Sequence, residues 1–150
     1  PLELARQRQA RQPWLSLDWR QGDALQTGLD AAFCDGVVMA YGLRNLADPA
    51  AGLAEIHRLL KPGGRAGVLD FNRLPVNSAA AAFQRFYLRR LVVPTAAAVG
   101  LRDEYAYLEE SLKRFPDGAE QERMALAAGF KTATHRPLVA GQMGLLLLKR

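Results

Sequence analysis

The chain has 150 residues, 49% of them hydrophobic and 23% charged, which are the proportions of one globular domain and argue against a disordered chain. Its net charge of +5 is spread over segments that also carry Asp and Glu, so the sequence argues against a nucleic-acid-binding surface. No apolar run is long enough for a membrane-spanning helix, and the single cysteine, Cys34, excludes an internal disulfide and a clustered Cys/His metal site.

The first segments predict a helix and then an edge strand. Residues Leu2 to Gln12 have a basic, helical pattern that Pro13 ends. From Trp14 to Trp19, apolar and polar residues alternate, which predicts a half-exposed strand at the edge of a sheet. Because Pro1 lies inside a helical pattern, we expect further chain to precede it.

The middle of the chain predicts a strand, a helix and a second strand. Two short apolar runs, Asp35 to Ala40 and Arg65 to Phe71, have the pattern of central parallel strands buried on both faces. Between them, Asp48 is a candidate N-cap and Pro49 a candidate first helical residue, and the Lys61 to Gly64 turn ends the helix. This order of elements predicts an α/β fold.

The last third predicts helices and then an antiparallel strand pair. Helical patterns over Ser78 to Val93 and Glu104 to Leu112 precede a third helix. That helix has a capping box formed by Asp117 and Glu120, and it ends before Gly129. The two final runs, Phe130 to Arg136 and Gly144 to Lys149, are joined by a loop and predict the strand pair.

Three polar segments follow predicted strands, at the end of the sheet where open α/β folds bind ligands. The segments begin at Gly22, Tyr41 and Asn72, and we expect them to form one pocket. In the first, Asp23 could accept a hydrogen bond from an exocyclic amine beside the Ala24 N–H; alternatively, Asp23 only shapes a turn.

The second segment, Tyr41 to Asn45, carries the densest polar cluster. Gly42 allows a close backbone approach to a ligand, and Arg44 offers a fixed fork of donors to an oxyanion. Alternatively, Arg44 is a salt-bridge partner on the rim. Neither histidine has a Ser or Cys partner for a hydrolytic triad, and His135 is expected to be a structural residue with satisfied hydrogen bonds.

Three stretches carry a family resemblance: Tyr41 to Asp48, Arg58 to Arg65, and Leu69 to Phe71. Together they closely resemble the UbiE/MenG quinone-biosynthesis methyltransferases, and the resemblance continues through Glu104 to Leu108 and Ala128 to Phe130. The Asp-Phe-Asn sequence that starts at Asp70 is similar to the cyanobacterial and plastid branch, which methylates demethylphylloquinone.

The resemblance implies a class I S-adenosylmethionine-dependent methyltransferase with a Rossmann-like fold. It implies one partial domain over residues 1–150 that contains strands 3 to 7 and lacks strands 1 and 2, with substrate-covering helices at about 78–112. The glycine-rich turn and the acidic strand end of the cofactor site would belong to the missing strands. The cofactor-binding residues that it implies here are Asp23, Ala24, Met39, Ala40 and Tyr41.

The implied reaction is C-methylation of a lipid naphthoquinol in phylloquinone or menaquinone biosynthesis. Arg44 would stabilise the oxyanion, Asn45 would orient the ring and Tyr41 could relay a proton. The implied substrate-binding residues are Arg44, Asn72, Phe83, Phe86, Tyr87 and Tyr105. The segment with the three aromatic residues Phe83, Phe86 and Tyr87 could touch a membrane surface or simply pack, and an oligomer is compatible with the sequence.

Two other functions stay open. The chain could be a non-catalytic module that pairs through an exposed sheet edge, or a class I methyltransferase for another small molecule such as a ubiquinone precursor. For the leading function, we expect a cytoplasmic location or one at the periphery of the thylakoid membrane.

Overall fold

The computed structural model describes residues 2–12, 14, 16–73 and 111–150. The helices are α1 (Leu2–Ala10), α2 (Pro49–Leu59) and α3 (Gly118–Ala127), with a 3-10 turn at Leu43–Asn45, and residues 111–114 are also helical. The strands are β1 (Cys34–Ala40), β2 (Leu60–Phe71), β3 (Thr132–Leu138) and β4 (Met143–Lys149). No helix within these ranges has both the length and the apolar character needed to cross a bilayer. The predicted helix over Ser78 to Val93, and most of the one over Glu104 to Leu112, lie outside the described residues.

The four strands form one mixed sheet in the order β1-β2-β4-β3. Strands β1 and β2 are parallel, with Ala40 beside Leu69, whereas β4 runs antiparallel to both β2 and β3. Phe71 at the end of β2 pairs with Met143 at the start of β4, so the carboxyl ends of the parallel strands meet the first residues of β4. The prediction of an α/β fold with a C-terminal antiparallel pair is confirmed.

Helix α2 begins and ends where the sequence predicts. The Asp48 carboxylate accepts a hydrogen bond from the Ala51 N–H at 3.0 Å, and Pro49 needs no such partner because it has no N–H. The helix ends at Leu59 because Leu60 takes an extended conformation, and β2 starts there, five residues earlier than predicted. Gly63 has a φ of +80°, a left-handed conformation that glycine adopts without strain.

Helix α3 has the predicted capping box. The Asp117 carboxylate accepts from the Glu120 N–H at 2.9 Å, and the Glu120 carboxylate accepts from the Asp117 N–H at 3.0 Å. Gly129 follows the helix with a φ of +106°, as predicted. Strand β3 starts two residues later than predicted and includes Pro137, which is tolerated because β3 is an edge strand.

The main core lies on the face of the sheet that carries α2 and α3. In β2, Ala66 and Val68 alternate onto this face, where they pack with Leu146 and Leu148 of β4 and with apolar residues of the helices. Because strand side chains have a period of two, the next positions on the same face are Asp70 and Asn72, and both are buried. The core row of β2 therefore ends in two polar residues.

The predicted edge strand from Trp14 to Trp19 is wrong. Its described residues, Trp14 and 16–19, form no strand, and the indole N–H of Trp19 donates to the Gln9 side chain of the preceding segment. A lone extended segment has no neighbour with which to exchange backbone hydrogen bonds, so alternation of side chains is not enough to make it a strand.

The prediction that β1 is a central strand buried on both faces is also wrong. In the described part of the chain β1 pairs only with β2, and Val38 is 89% exposed. Strand β1 thus presents an unpaired edge and an exposed apolar side chain.

Candidate functional site

The chain turns sharply where β1 ends. Tyr41 has a φ of +57°, which is uncommon for a residue other than glycine, and its N–H donates to the Leu69 carbonyl oxygen at 2.7 Å. A Cβ atom at Gly42 would lie 2.9 Å from the Cγ atom of Met39, so a larger residue there would require the Met39 side chain to move. The Asn45 amide donates to the Tyr41 carbonyl oxygen at 2.9 Å and closes the turn. Backbone strain of this kind is concentrated at functional sites.

The Tyr41 side chain lies across the carboxyl end of the sheet. Its ring centroid is 5.4 Å from that of Phe71, and its hydroxyl is 4.0 Å from the sulfur of Met143. The side chain therefore spans from β1 over the end of β2 to the start of β4, and 42% of the residue is exposed. Its hydroxyl is placed where a ligand beyond the strand ends could reach it.

Arg44 is held by a buried carboxylate. Its main-chain N–H donates to Asp70 Oδ2 at 3.0 Å, and its Nε–H donates to Asp70 Oδ1 at 3.3 Å. A third donor, Nη1, bonds to the hydroxyl of Ser111. The side chains of Arg44 and Asp70 are only 8% and 4% exposed. Arg44 does form a salt bridge, as the alternative interpretation predicts. The pair is buried, however, and does not lie on the rim of the site.

A cavity of about 390 Å³ adjoins this pair. It is lined by Arg44, Asn45, Leu46, Ala47, Pro49, Ser111, Arg114, Phe115 and Pro116. Among the described residues, Nη2 of Arg44 has no hydrogen-bond partner, so this edge of the guanidinium can still donate. The arrangement can bind an oxygen of a small planar molecule.

Asp23 shapes a turn and also keeps a free oxygen. Its Oδ1 accepts from the Leu25 N–H at 2.9 Å, whereas no described residue bonds to Oδ2. Asp23 and Ala24 are both exposed. The contacts therefore match the turn interpretation, and an acceptor for a ligand remains as well.

The segment after Asp23 is fixed to α2 by Glu55. One oxygen of this buried carboxylate accepts from the N–H and hydroxyl of Thr27 at 2.9 and 2.6 Å, and Arg58 donates to both oxygens. Its hydrogen bonds from Arg58, aided by those from Thr27, lower the pKa of Glu55 to about 2. Glu55 was not predicted from the sequence, although the spacing of three between Glu55 and Arg58 on a helix is a recognisable signal.

Asn72 contacts the loop between β3 and β4. Its amide donates to the carbonyl oxygens of Gly141 and Met143 at 3.0 and 2.9 Å, and the residue is 7% exposed. These contacts are structural, and the predicted contact of Asn72 with substrate stays a prediction. No hydrogen bond or ion pair among the described residues joins Asp23 or Asn72 to Arg44.

Arg44 and Asn45 line the same cavity, whereas Tyr41 is not among its described lining residues and meets Asn45 only through its carbonyl oxygen. Asp70 and Ser111, which were not predicted as site residues, hold Arg44. Met39 packs against Gly42, and Ala40 is exposed at the end of β1. The other predicted substrate-binding residues, Phe83, Phe86, Tyr87 and Tyr105, lie outside the described residues. Within the described ranges, no three His, Cys, Asp or Glu side chains are grouped as metal ligands.

His135 does not have the satisfied hydrogen bonds that the sequence analysis expected. Its ring is packed against Gly118 and Gly144, and its Nε2 is buried without a partner. Burial lowers the pKa of this imidazole, and the nearby carboxylates of Glu122 and Asp117 partly offset the effect. The spacing of a strand residue does not reveal which groups surround it.

Curated relatives match almost the whole chain. A 2-phytyl-1,4-naphthoquinone methyltransferase from Nostoc punctiforme is 45% identical over 99% of this chain, and one from Synechocystis is 46% identical over 91%. The chloroplastic 2-phytyl-1,4-β-naphthoquinone methyltransferase of Arabidopsis thaliana is 39% identical over 94% of the chain. The chain spans 65%, 57% and 54% of the lengths of these relatives, respectively.

Solved structures show the same fold, and the family follows from the sequence. A S-adenosylmethionine-dependent methyltransferase from Aquifex aeolicus has a TM-score of 0.64 and 11% identity, over 99% of this chain and 62% of that one. The CurJ carbon methyltransferase has a TM-score of 0.59 and 14% identity, over 97% of this chain and 38% of that one. These confirm the class I methyltransferase fold. Because the model of the ubiE/COQ5 methyltransferase family matches residues 1–146, the chain belongs to that family.

Proposed function

We propose that this protein is a S-adenosylmethionine-dependent C-methyltransferase whose acceptor is a lipid naphthoquinol in phylloquinone or menaquinone biosynthesis. The observation that carries the proposal is the buried Arg44, held at the carboxyl end of the sheet beside a cavity of about 390 Å³. The names of the cyanobacterial and plastid relatives support the acceptor. A lipid tail places the substrate in a membrane, so the protein works at the surface of a cyanobacterial or plastid membrane, which the segment 78–93 would contact.

The residues present fit part of a nucleoside cofactor site. Oδ2 of Asp23, which no described residue contacts, would accept from an exocyclic amine, and the adjacent Ala24 N–H would donate to a ring nitrogen. Because Leu25 fixes Oδ1, the carboxylate is already oriented before a ligand binds. Met39, Ala40 and Tyr41, at the end of β1, would help to hold the cofactor. When bound, S-adenosylmethionine supplies an electrophilic methyl group on its sulfonium.

The residues around Arg44 activate and align the acceptor ring. A ring carbon becomes nucleophilic when the adjacent hydroxyl loses its proton, so the site must favour the oxyanion. Nη2 of Arg44 would donate to this oxygen, Asn45 would orient the ring and the Tyr41 hydroxyl would relay the proton. Methylation at this carbon would break the bond between the methyl group and the sulfonium, which would leave as a neutral thioether, and loss of the carbon's own proton would restore the aromatic ring. The walls of the cavity would hold the ring carbon in line with the methyl group of the cofactor.

Methyl transfer can be tested in a chimera, in which the segment of the Nostoc punctiforme relative outside the match is joined to this chain. With methyl-labelled cofactor, we expect labelled product from 2-phytyl-1,4-naphthoquinol. Removing an oxyanion donor in Arg44→Ala lowers kcat by about 100-fold. Arg20→Ala, which removes only an exposed arginine, leaves kcat unchanged. Transfer to a ubiquinone precursor in preference to the naphthoquinol would contradict the proposed acceptor.

A second candidate function is docking through the edge of β1. It is favoured by Val38, which is 89% exposed on an edge strand. An exposed edge offers unpaired N–H and carbonyl groups to a strand from another chain. This function predicts self-association or capture of a strand without methyl transfer, and a monomer at all concentrations would count against it.

A further inference from the structure

We infer that Asp70 and Ser111 are positioning residues that clamp the Arg44 guanidinium so that Nη2 meets the acceptor oxygen. The inference rests on the proposed function and adds the two groups that set the direction of the donor. Neither residue needs to touch the substrate. The clamp consists of three hydrogen bonds, two to the Asp70 carboxylate and one to the Ser111 hydroxyl.

The clamp holds Arg44 at several points along its length. Asp70 binds Arg44 at its main-chain N–H and at its Nε–H, so one carboxylate fixes both ends of a long side chain. The Ser111 hydroxyl then accepts from Nη1 and fixes a second nitrogen of the guanidinium. In the described part of the chain Nη2 has no partner, and Arg44 lines the cavity. Two of the three nitrogens are therefore used to hold the third in place.

The Asp70 side of the clamp is rigid. Asp70 lies at the end of the core row of β2 after Ala66 and Val68, and its Oδ1 also accepts from the Phe71 N–H at 2.8 Å. A carboxylate on a strand that is paired on both sides is a fixed anchor. An unrestrained arginine loses side-chain entropy when it is ordered. The clamp has imposed this order before the substrate binds.

The charge of Asp70 distinguishes positioning of Nη2 from simple electrostatic attraction of the oxyanion. The carboxylate of Asp70 compensates the charge of Arg44 in a site where both are buried. If charge alone attracted the oxyanion, Asp70→Asn would leave a net positive charge and would improve catalysis. If the direction of Nη2 matters, the same change impairs catalysis. The two explanations therefore predict opposite signs.

The kinetic test uses the chimera. We expect Asp70→Asn to lower kcat by about 100-fold and to leave the KM for the cofactor unchanged. A loss of this size is typical when a reacting group is misplaced by about 1 Å. Ser111→Ala loses one hydrogen bond of the clamp and lowers kcat by about tenfold. Asp35→Asn is the matched control, because Asp35 is an exposed carboxylate paired with Lys61 and its loss leaves kcat unchanged. A kcat equal to or above that of the parent in Asp70→Asn overturns the inference.

Chemical rescue separates positioning from a loss of folding. Guanidinium ion added to the Arg44→Ala chimera is expected to restore part of the activity, because Asp70 and Ser111 still form its binding place. In Arg44→Ala/Asp70→Asn the concentration needed for half-maximal rescue should rise about tenfold, because a charge-assisted partner is lost. Equal rescue of both variants contradicts the clamp, and Ser111→Ala in place of Asp70→Asn repeats the test if the double variant does not fold.

A spectroscopic test needs no activity. In this chain, the Nε–H proton of Arg44 should exchange slowly with water and give its own ¹H–¹⁵N signal, which Arg44→Lys assigns by its loss. We expect Asp70→Asn to abolish the signal or shift it towards that of free arginine, and Asp35→Asn to leave it in place. A signal that Asp70→Asn does not move refutes the clamp. A clamp seen by NMR in a chimera without methyl transfer would instead refute the proposed function.

Discussion

Glu55 in α2 accepts two hydrogen bonds from Thr27, one from its N–H at 2.9 Å and one from its hydroxyl at 2.6 Å. The two residues are separated by 28 positions, so the contact attaches the segment that starts at Asp23 to the helix. Arg58, one turn further along α2, also donates to the Leu29 carbonyl oxygen at 2.6 Å. Charge and hydrogen bonding therefore place the turn that carries Asp23 and Ala24.

This relationship predicts a loss of stability in acid. The unfolded pKa of Glu55 is 4.5, and hydrogen bonds from Arg58 and Thr27 lower it to about 2 in the folded chain. Because the folded pKa is the lower one, the contribution is complete above pH 4.5 and is lost as pH falls towards 2. Urea unfolding between pH 6 and pH 2.5 should show this decline, and Glu55→Gln should reduce it. If Glu55→Gln and the exposed control Glu3→Gln have the same acid dependence, the assignment is wrong.

The capping box predicts a measurable cost for Asp117→Ala. The change removes the acceptor of the Glu120 N–H, and loss of an N-cap costs about 1 kcal/mol of the free energy of unfolding. The ion pair of Asp117 with Arg73, at 4.0 Å, is half exposed and adds little. Asp18→Ala is the control, because an exposed pair with Arg20 changes stability by less than about 0.5 kcal/mol. Equal unfolding free energies in the two variants would show that the cap is not formed in solution.

Signals between residues close in the sequence predicted the described helices and strands. The predictions failed where the structure depends on contacts between residues far apart in the sequence. The capping box and the start of α2 follow from residues three apart, so the sequence analysis placed both correctly. The segment from Trp14 to Trp19 has the alternation of a strand but lacks the neighbour that a strand needs. At the site, the turn after β1 was recognised from Tyr41 to Asn45. Ser111 was not recognised as part of the site, because it lies 67 positions from Arg44 in the sequence.

Gly144→Ala should destabilise the chain through a steric clash. A Cβ atom there would overlap Nε2 of His135 and Oδ1 of Asn72, which lie against β4 from two sides. Overpacking of this kind costs about 2 kcal/mol of the free energy of unfolding. Gly67 on the paired strand β2 gives the control, since its Cβ would lie 4.0 Å from the nearest atom, in Leu145, and Gly67→Ala should be neutral within about 0.5 kcal/mol. Similar unfolding midpoints for both variants would contradict this packing.

His135 is predicted to titrate below pH 6.5. Burial lowers its pKa, Glu122 and Asp117 offset part of the effect, and its buried Nε2 has no acceptor to stabilise a proton. Because the folded pKa lies below the unfolded value, stability is complete above pH 6.5 and falls as the pH drops through the folded pKa. Proton NMR can follow both histidines of the chain, with His57→Gln to assign them. A His135 pKa at or above 6.5 would refute burial of the neutral ring.

The edge of β1 predicts self-association that a single charge should prevent. Strand β1 pairs only with β2 among the described residues, and Val38 is 89% exposed. The unpaired backbone groups of this edge can therefore bind a second strand, and no charged side chain at Val38 opposes the pairing. We expect sedimentation velocity to show a weight-average mass that rises with concentration. Val38→Lys should keep the chain monomeric, because edge lysines disfavour pairing of identical strands. Val139→Lys is the matched control, since Val139 is 69% exposed but lies in the turn between β3 and β4. If the parent chain is monomeric, or if both lysine variants dissociate it equally, the β1 edge is not the contact.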